Sequence, residues 1–220
     1  MSTVSHTQIL TNVSQEVQQR FANFDDPSHG WQHVQRVYRL AQYIADKEGA
    51  DALITGLAAL LHDLGRLVHC ESVSHATLSV EEARSILARY PLEQSQIEAV
   101  LHAIEAHSFS QGIEPRTLEA RVLRDADRLD ALGAIGILRW AITGTIRRET
   151  QTLSYHPEDP FGEWHRLDDS RYMLDHFYIK LLKLEQGIYT ATGQSLARQR
   201  SAYMHAYLQE LKTELELELP

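Results

Sequence analysis

Residues 58 to 66 read AALLHDLGR, and no other stretch restricts the fold of this chain so strongly. From Asp51 to His62 the apolar side chains Ala52, Leu53, Ile54, Leu57, Ala58, Leu60 and Leu61 fall on every side of a helix. That is the pattern of a helix surrounded by protein on all faces. It cannot stand alone, so the chain must supply further helices to cover it. Its last turn ends in adjacent His62 and Asp63, followed by Gly65, a natural terminator. A polar group that leaves water without a partner costs roughly 2–7 kcal/mol. Something must hold this pair.

The covering helices are legible from their spacing. Val34, Val37, Ala41, Ile44 and Ala45 line one face between Trp31 and Glu48, with Ser28 or Asp26 as the expected cap. Ser79 with Glu82 has the form of a capping box, and Val80, Ala83, Ile86, Leu87 and Tyr90 continue at helical period. Pro91 interrupts. Ile97, Val100, Leu101 and Ile104 then predict a helix running to His107. One helix is predicted from Thr117 to about Thr143, with Asp127 on its apolar stripe. From about Gly144 to Asp168 the period dissolves, which predicts an irregular excursion of the kind that is usually functional or mobile. Helices resume over Tyr172–Leu184 and Ser195–Leu217. No alternating strand pattern, repeat or low-complexity linker is present, so the fold class is all-α, a single domain over 1–220. Its core spans about 25–145, its irregular loop about 145–168, and its C-terminal helices about 169–217.

Composition narrows the partners. A formal net charge of −9 with no Lys/Arg stripe argues against nucleic-acid polymers and anionic membranes. The single cysteine, Cys70, excludes an internal disulfide and a Cys-rich zinc site. The N-terminal residues lack a secretory pattern, and no apolar run approaches the ~20 residues that span a bilayer. These features point to a cytoplasmic protein.

Three costly placements remain: His33 at the start of a long helix, His62-Asp63 at the end of the buried one, and Asp127 on an apolar stripe. Each has an ordinary explanation by itself, such as a satisfied core histidine or an aspartate paired with arginine. Together they suit one divalent cation, which neutralises the acids and uses imidazole lone pairs.

The ordered set His33, His62-Asp63 and Asp127 within DADRLDALGAIG resembles the H…HD…D signature of the HD-domain metal-dependent phosphohydrolases. The words HGWQHVQRV at 29–37, AHSFS at 106–110 and LDHFYIKLLKL at 174–184 are similar to those of small bacterial HD hydrolases, some acting on nucleoside triphosphates. The resemblance covers nearly the whole chain. It implies an all-helical bundle with a buried metal site, and metal ligands at His33, His62, Asp63 and Asp127. The metal would be Mn, Fe, Mg, Co, Ni or Zn. The wording HDLGR departs from the subgroup and is closer to the HDIGK of other HD branches. It makes Arg66 a phosphate-binding candidate, since guanidinium grips phosphoryl oxygens bidentately.

His75 and His107 stand in the order seen in HD proteins with two metals, which leaves room for a second ion, with His75 expected in a loop. His107 is placed beside the substrate, His102 is read as structural or as support for a ligand, and Asp130 as possible support for Asp127. The implied activity is hydrolysis of a phosphate ester or anhydride, that of a nucleotide above all. Asp63 and His107 carry the proton transfers, Lys180 is a further phosphate contact and Lys183 a weaker one, and Arg66, Arg128 and Lys180 with the metal supply the local positive site. A small-molecule phosphate is the expected partner, with a homodimer also allowed. The rivals are a diiron oxygenase, marked by oxygen consumption, and a non-catalytic metabolite-binding module with a closed metal site.

Overall fold

The computed structural model describes residues 5–68, 70, 72–108, 111–146 and 152–216. Among them the secondary structure is helical, with one isolated bridge between Leu153 and Tyr172. The helices are α1 (His6–Arg20), α2 (Trp31–Glu48), α3 (Ala52–Leu61), α4 (His75–Leu87), α5 (Gln94–His107), α6 (Leu118–Leu129), α7 (Gly133–Ile146), α8 (Asp175–Ile179) and α9 (Ala191–Leu215). Turns of 3-10 helix cover Leu64–Leu67 and Leu181–Gly187. The chain is all-α, as expected. It resolves into two compact units, residues 1–127 with 189–193, and residues 128–188 with 194–220.

The first unit is built around α3, on which α1, α2, α4 and α5 pack. Asp51 starts α3 by accepting from the backbone N–H groups of Leu53 and Ile54 at 2.8 and 3.0 Å. Leu57, Leu60 and Leu61 are at most 1% exposed, and each contributes about 2 kcal/mol by leaving water. Helix α2 has the expected limits, and Gly49 ends it in the left-handed region at φ 76°. Its start differs from expectation: Gly30 is the N-cap and offers no side chain, while Asp26 accepts instead from the Ser28 N–H at 2.8 Å. Helix α1 was not expected. Ser5 caps it, and Ile9, Val13 and Val17 are buried along one stripe.

Two further expectations are corrected. Helix α4 begins four residues before Ser79, capped by Ser74, whose hydroxyl accepts from the Thr77 N–H. Ser79 is fully buried inside the helix, where its Oγ accepts from the Gly65 N–H at 2.8 Å. His75 is therefore the first residue of a helix, not part of a loop. The single helix expected over 117–143 is broken into α6 and α7, because Gly133 takes φ 72° at the start of α7.

In the second unit Trp140 donates its indole N–H to the Met173 carbonyl at 2.8 Å and packs edge-on against Phe177, which stacks on Tyr207. Residues 152–168 are irregular, as expected, and the irregular chain runs on to 174, but the segment is well tied. Asp159 accepts from the backbone N–H groups of Glu163, Trp164 and His165 at 2.7–2.9 Å. His165 lies between two carboxylates, Nδ1 at 2.8 Å from Asp159 and Nε2 at 2.9 Å from Asp175. The expected helix over 172–184 is a short α8 followed by 3-10 turns. Residues 147–151 of the expected loop, and Leu217, lie outside the described residues. No single helix among the described residues is long and apolar enough to cross a membrane.

Candidate metal centre

Helix α2 brings His33 in its first turn, the end of α3 brings His62 and Asp63, and α6 brings Asp127. The structure gathers all four. His33 Nε2 lies 3.3 Å from His62 Nε2, 3.4 Å from Asp127 Oδ1 and 3.6 Å from Asp63 Oδ2. His62 Nε2 is 3.7 Å from the same Asp63 oxygen. His33, His62 and Asp63 are at most 1% exposed, whereas the Asp127 side chain is 31% exposed, so the cluster opens on that side. The ligand atoms of His33, His62 and Asp127 fall within 4.8 Å of one another, and so do those of His62, Asp63 and His107.

The tautomers suit ligation. His62 Nδ1 lies 2.8 Å from the Ala59 carbonyl, and His107 Nδ1 has the same relation to the Ile104 carbonyl. Each Nδ1–H donates to that oxygen, which leaves Nε2 as a lone pair turned toward Asp63. Burial holds both rings below the usual histidine range, and for His107 the neighbouring His62 adds to the effect. They are neutral, as ligands must be. Burial alone would raise the Asp63 carboxyl, but the positive charge around it, of which the Arg66 guanidinium is the permanent source, outweighs burial and holds the group well below the usual carboxylate range. Burial also works against ionised Asp127, and the hydrogen bond from His33 overcomes it. Both Asp63 oxygens are buried and neither receives a hydrogen bond. Arg66 Nε approaches Oδ2 to 2.7 Å as an ion contact, but without the direction of a hydrogen bond. A buried carboxylate left in this state fits a cation, which needs no directed donor.

Asp63 also has a second side. Oδ1 is 3.7 Å from His75 Nε2 and 3.9 Å from His107 Nε2. The His62–His107 and His75–His107 rings are edge to face at 5.1 and 5.4 Å. Burial and the nearby Arg66 push His75 down to about 4. A cleft of about 610 Å³ leads away from this side, with Arg66 and His75 in its wall together with Asn23–Asp26, Val68 and Val73.

The other sequence candidates separate clearly. His102 Nε2 accepts from the Arg116 N–H at 3.1 Å, a structural tie. Asp125, two residues before Asp127 and not itself a candidate, is buried and accepts from the Tyr189 and Thr190 N–H groups and the Thr190 hydroxyl. Asp130 belongs to the second unit, where it pairs with Arg139 at 3.1 Å. Arg128 in that unit donates to the Gly187 carbonyl. Lys180 is exposed at the end of α8, also in the second unit. Phe109 and Ser110 of the AHSFS word lie outside the described residues. The cleft segment Asn23–Asp26 was missed by sequence reasoning, since it has no periodicity; its only signal is the NFDDPS run just upstream of His33.

Residues 30–132 match the family described as HD domain. The chain is 32% identical over 195 residues to YpgQ of Bacillus subtilis, covering 87% of this chain and 86% of that protein. The crystal structure of Bacillus subtilis YpgQ in complex with ADP superposes with a TM-score of 0.74 at 29% identity, over 95% and 96% of the two chains. An HD-superfamily hydrolase from Bacillus thuringiensis gives 0.77 at 28% identity, over 97% and 100%. Ribonuclease Y of Thermoanaerobacter pseudethanolicus is 37% identical over 117 residues, which are 53% of this chain and about one fifth (21%) of that protein's length.

Proposed function

Since the chain belongs to the HD-domain family, we propose that it is a divalent-metal-dependent phosphohydrolase acting on the phosphate ester or anhydride of a nucleotide. One observation carries this: a buried, ionised Asp63 without a hydrogen bond is faced by neutral imidazole Nε2 atoms and reached at 2.7 Å by Arg66, which lines a cleft. The relative's ADP complex supports a nucleotide.

His33, His62, Asp63 and Asp127 would hold the ion, which when bound polarises a phosphoryl oxygen and lowers the pKa of water. Four protein ligands leave positions open on a cation that takes about six, as catalysis requires. The chain's own groups do the rest. Asp63 Oδ2 faces His33 and His62, so Oδ1 is the oxygen placed to take a proton from the attacking water. Arg66, 27% exposed and in the cleft wall, neutralises charge on the transferring phosphoryl group. His107 offers a lone pair rather than a proton at neutral pH, so it holds the leaving group's donor or the water. Lys180 is a further phosphate contact in this proposal, which also includes a cytoplasmic location, no polymer or membrane partner and a possible homodimer.

A two-ion centre is the second reading. The observation favouring it is the division of Asp63, with His33 and His62 on Oδ2 and His75 and His107 on Oδ1. Two bound irons would admit the oxygenase alternative. The test is protein stripped and reloaded with Mn, Mg, Fe or Co, with bound metal counted per chain and phosphate, pyrophosphate and oxygen followed over mono- and triphosphate nucleotides. Metal-dependent phosphate or pyrophosphate release that disappears in Asp63→Ala and His33→Ala is expected. Retained activity in either variant overturns the assignment. A count that falls from two to one in His75→Ala establishes the second ion.

A further inference from the structure

Arg66 serves two carboxylates. Its Nε lies 2.7 Å from Asp63 Oδ2, the same oxygen that His33 and His62 approach at 3.6 and 3.7 Å. The second carboxylate is Asp26, which lines the cleft with Arg66 and is stabilised by its charge. Asp26 is fixed in place, since the Ser28 N–H donates to Oδ1 at 2.8 Å and His29 Nδ1 lies 2.7 Å from Oδ2.

The contact with Asp63 is of a breakable kind. A guanidinium that orients a metal ligand does so by a directed hydrogen bond, and Arg66 Nε makes none, although both it and the Asp63 oxygen are buried. The Arg66 side chain is 27% exposed and borders a cleft of about 610 Å³, so it has room to move. Asp63 Oδ2 thus has two claimants, the guanidinium and the ion that His33, His62 and Asp63 would hold. Two positive charges at one oxygen, away from water, repel strongly.

We propose that Arg66 competes with the metal for Asp63 Oδ2, and that Asp26 is a positioning residue that receives the displaced guanidinium. Asp63 then passes from ion pair to ligand as Arg66 turns to Asp26, its guanidinium left facing the cleft for phosphoryl oxygens. This rests on the metal centre of the phosphohydrolase reading. It gives Arg66 an effect on the ion that a simple phosphate contact does not have.

The test is calorimetric titration of stripped protein with Mn, without any phosphate compound. Arg66→Gln binds Mn at least about tenfold tighter than wild type, because the rival charge is gone. Asp26→Asn binds it roughly threefold more weakly, the scale of one solvent-exposed ion pair, since Arg66 loses its second carboxylate. Asparagine keeps an oxygen for the Ser28 N–H, and this variant leaves Arg66 beside Asp63, so it decides alone if Arg66→Gln does not fold. In the double variant the effect of Asp26→Asn vanishes, which separates action through Arg66 from direct attraction between Asp26 and the ion.

Weaker Mn binding by Arg66→Gln, about 10–100-fold if the guanidinium supports its ligand, overturns the competition. So does an unchanged affinity. An Asp26→Asn effect that is absent, or that persists beside Arg66→Gln, overturns the role of Asp26. Wild type that binds none of Mn, Mg, Fe or Co removes the metal centre and the phosphohydrolase reading with it; every other adverse result leaves that reading standing.

Discussion

Gly65→Ala tests how the centre is braced. Gly65 is not in the left-handed region, so its small size matters for space and not for backbone freedom. A Cβ built there would lie 2.1 Å from the His75 carbonyl oxygen, 2.7 Å from Ser79 N and 2.8 Å from Leu78 Cβ. A relaxed carbon-to-oxygen contact needs about 3.3 Å, so the first turns of α4 must retreat by about 1 Å. Two of the three obstacles are backbone atoms and cannot swing aside. The retreat weakens the Gly65 N–H bond to Ser79 Oγ, about 1 kcal/mol, and adds overpacking strain of about 1–3 kcal/mol. For a chain of this size a total of about 2–4 kcal/mol lowers the melting temperature by roughly 5–15 °C. The same shift draws His75 away from Asp63, so in the two-ion reading affinity for the second ion should fall as well. Thermal melts with and without metal measure both effects. Melting within about 2 °C of wild type would refute the claim that close approach of α4 requires glycine.

Other outcomes follow from single sites. Asp125→Ala leaves two backbone N–H groups and the Thr190 hydroxyl without their acceptor; urea unfolding should show a loss of about 2–4 kcal/mol. Adding Mn, Fe or Co to stripped protein should raise its stability by about 2.7 kcal/mol at a hundredfold excess over Kd, and Asp63→Ala should abolish the rise in thermal melts. Burial would lower His165, but the Asp175 and Asp159 carboxylates outweigh it and raise the ring above its usual value. Its stabilisation is complete below the unfolded value of about 6.5 and is lost as pH rises through the raised folded value. Limited proteolysis within 152–174 should therefore accelerate on the alkaline side, with His156 stacked on the ring and Tyr172 edge-on to it as the other titratable neighbours. In His165→Ala cleavage should be fast at every pH.

Much of the architecture was legible because its causes are local. The all-round apolar pattern of α3 required a centre of packing, and its four covering helices are α1, α2, α4 and α5. Helices α2 and α5 carry clean stripes and appear where expected. Helix α1 carries a stripe too, at Ile9, Val13 and Val17, but polar residues dilute it and only burial against α3 reveals its weight. Ser79 shows how a local signature misleads. Its hydroxyl could have capped a helix, but Ser74 did so first, and tertiary packing engaged Ser79 with the Gly65 backbone. Asp127 shows the reverse, since an acid on an apolar stripe has no local reason and therefore pointed beyond its own helix.

The sequence by itself determined the helical class, the buried α3, and the four residues His33, His62, Asp63 and Asp127 that had to meet. Hydrophobic period and the cost of burying unpaired polar groups are properties of residue type and spacing, readable along the chain. Tertiary structure alone decided that His75 and His107 share the second oxygen of Asp63, that Arg66 folds back onto the first, and that Phe24 and Asp25 face the same cleft. Apart from the local pair of Arg66 with Asp63, those relations depend on distances between elements apart in sequence. Such distances are set by packing to within an ångström, as the space denied to a Cβ at Gly65 shows.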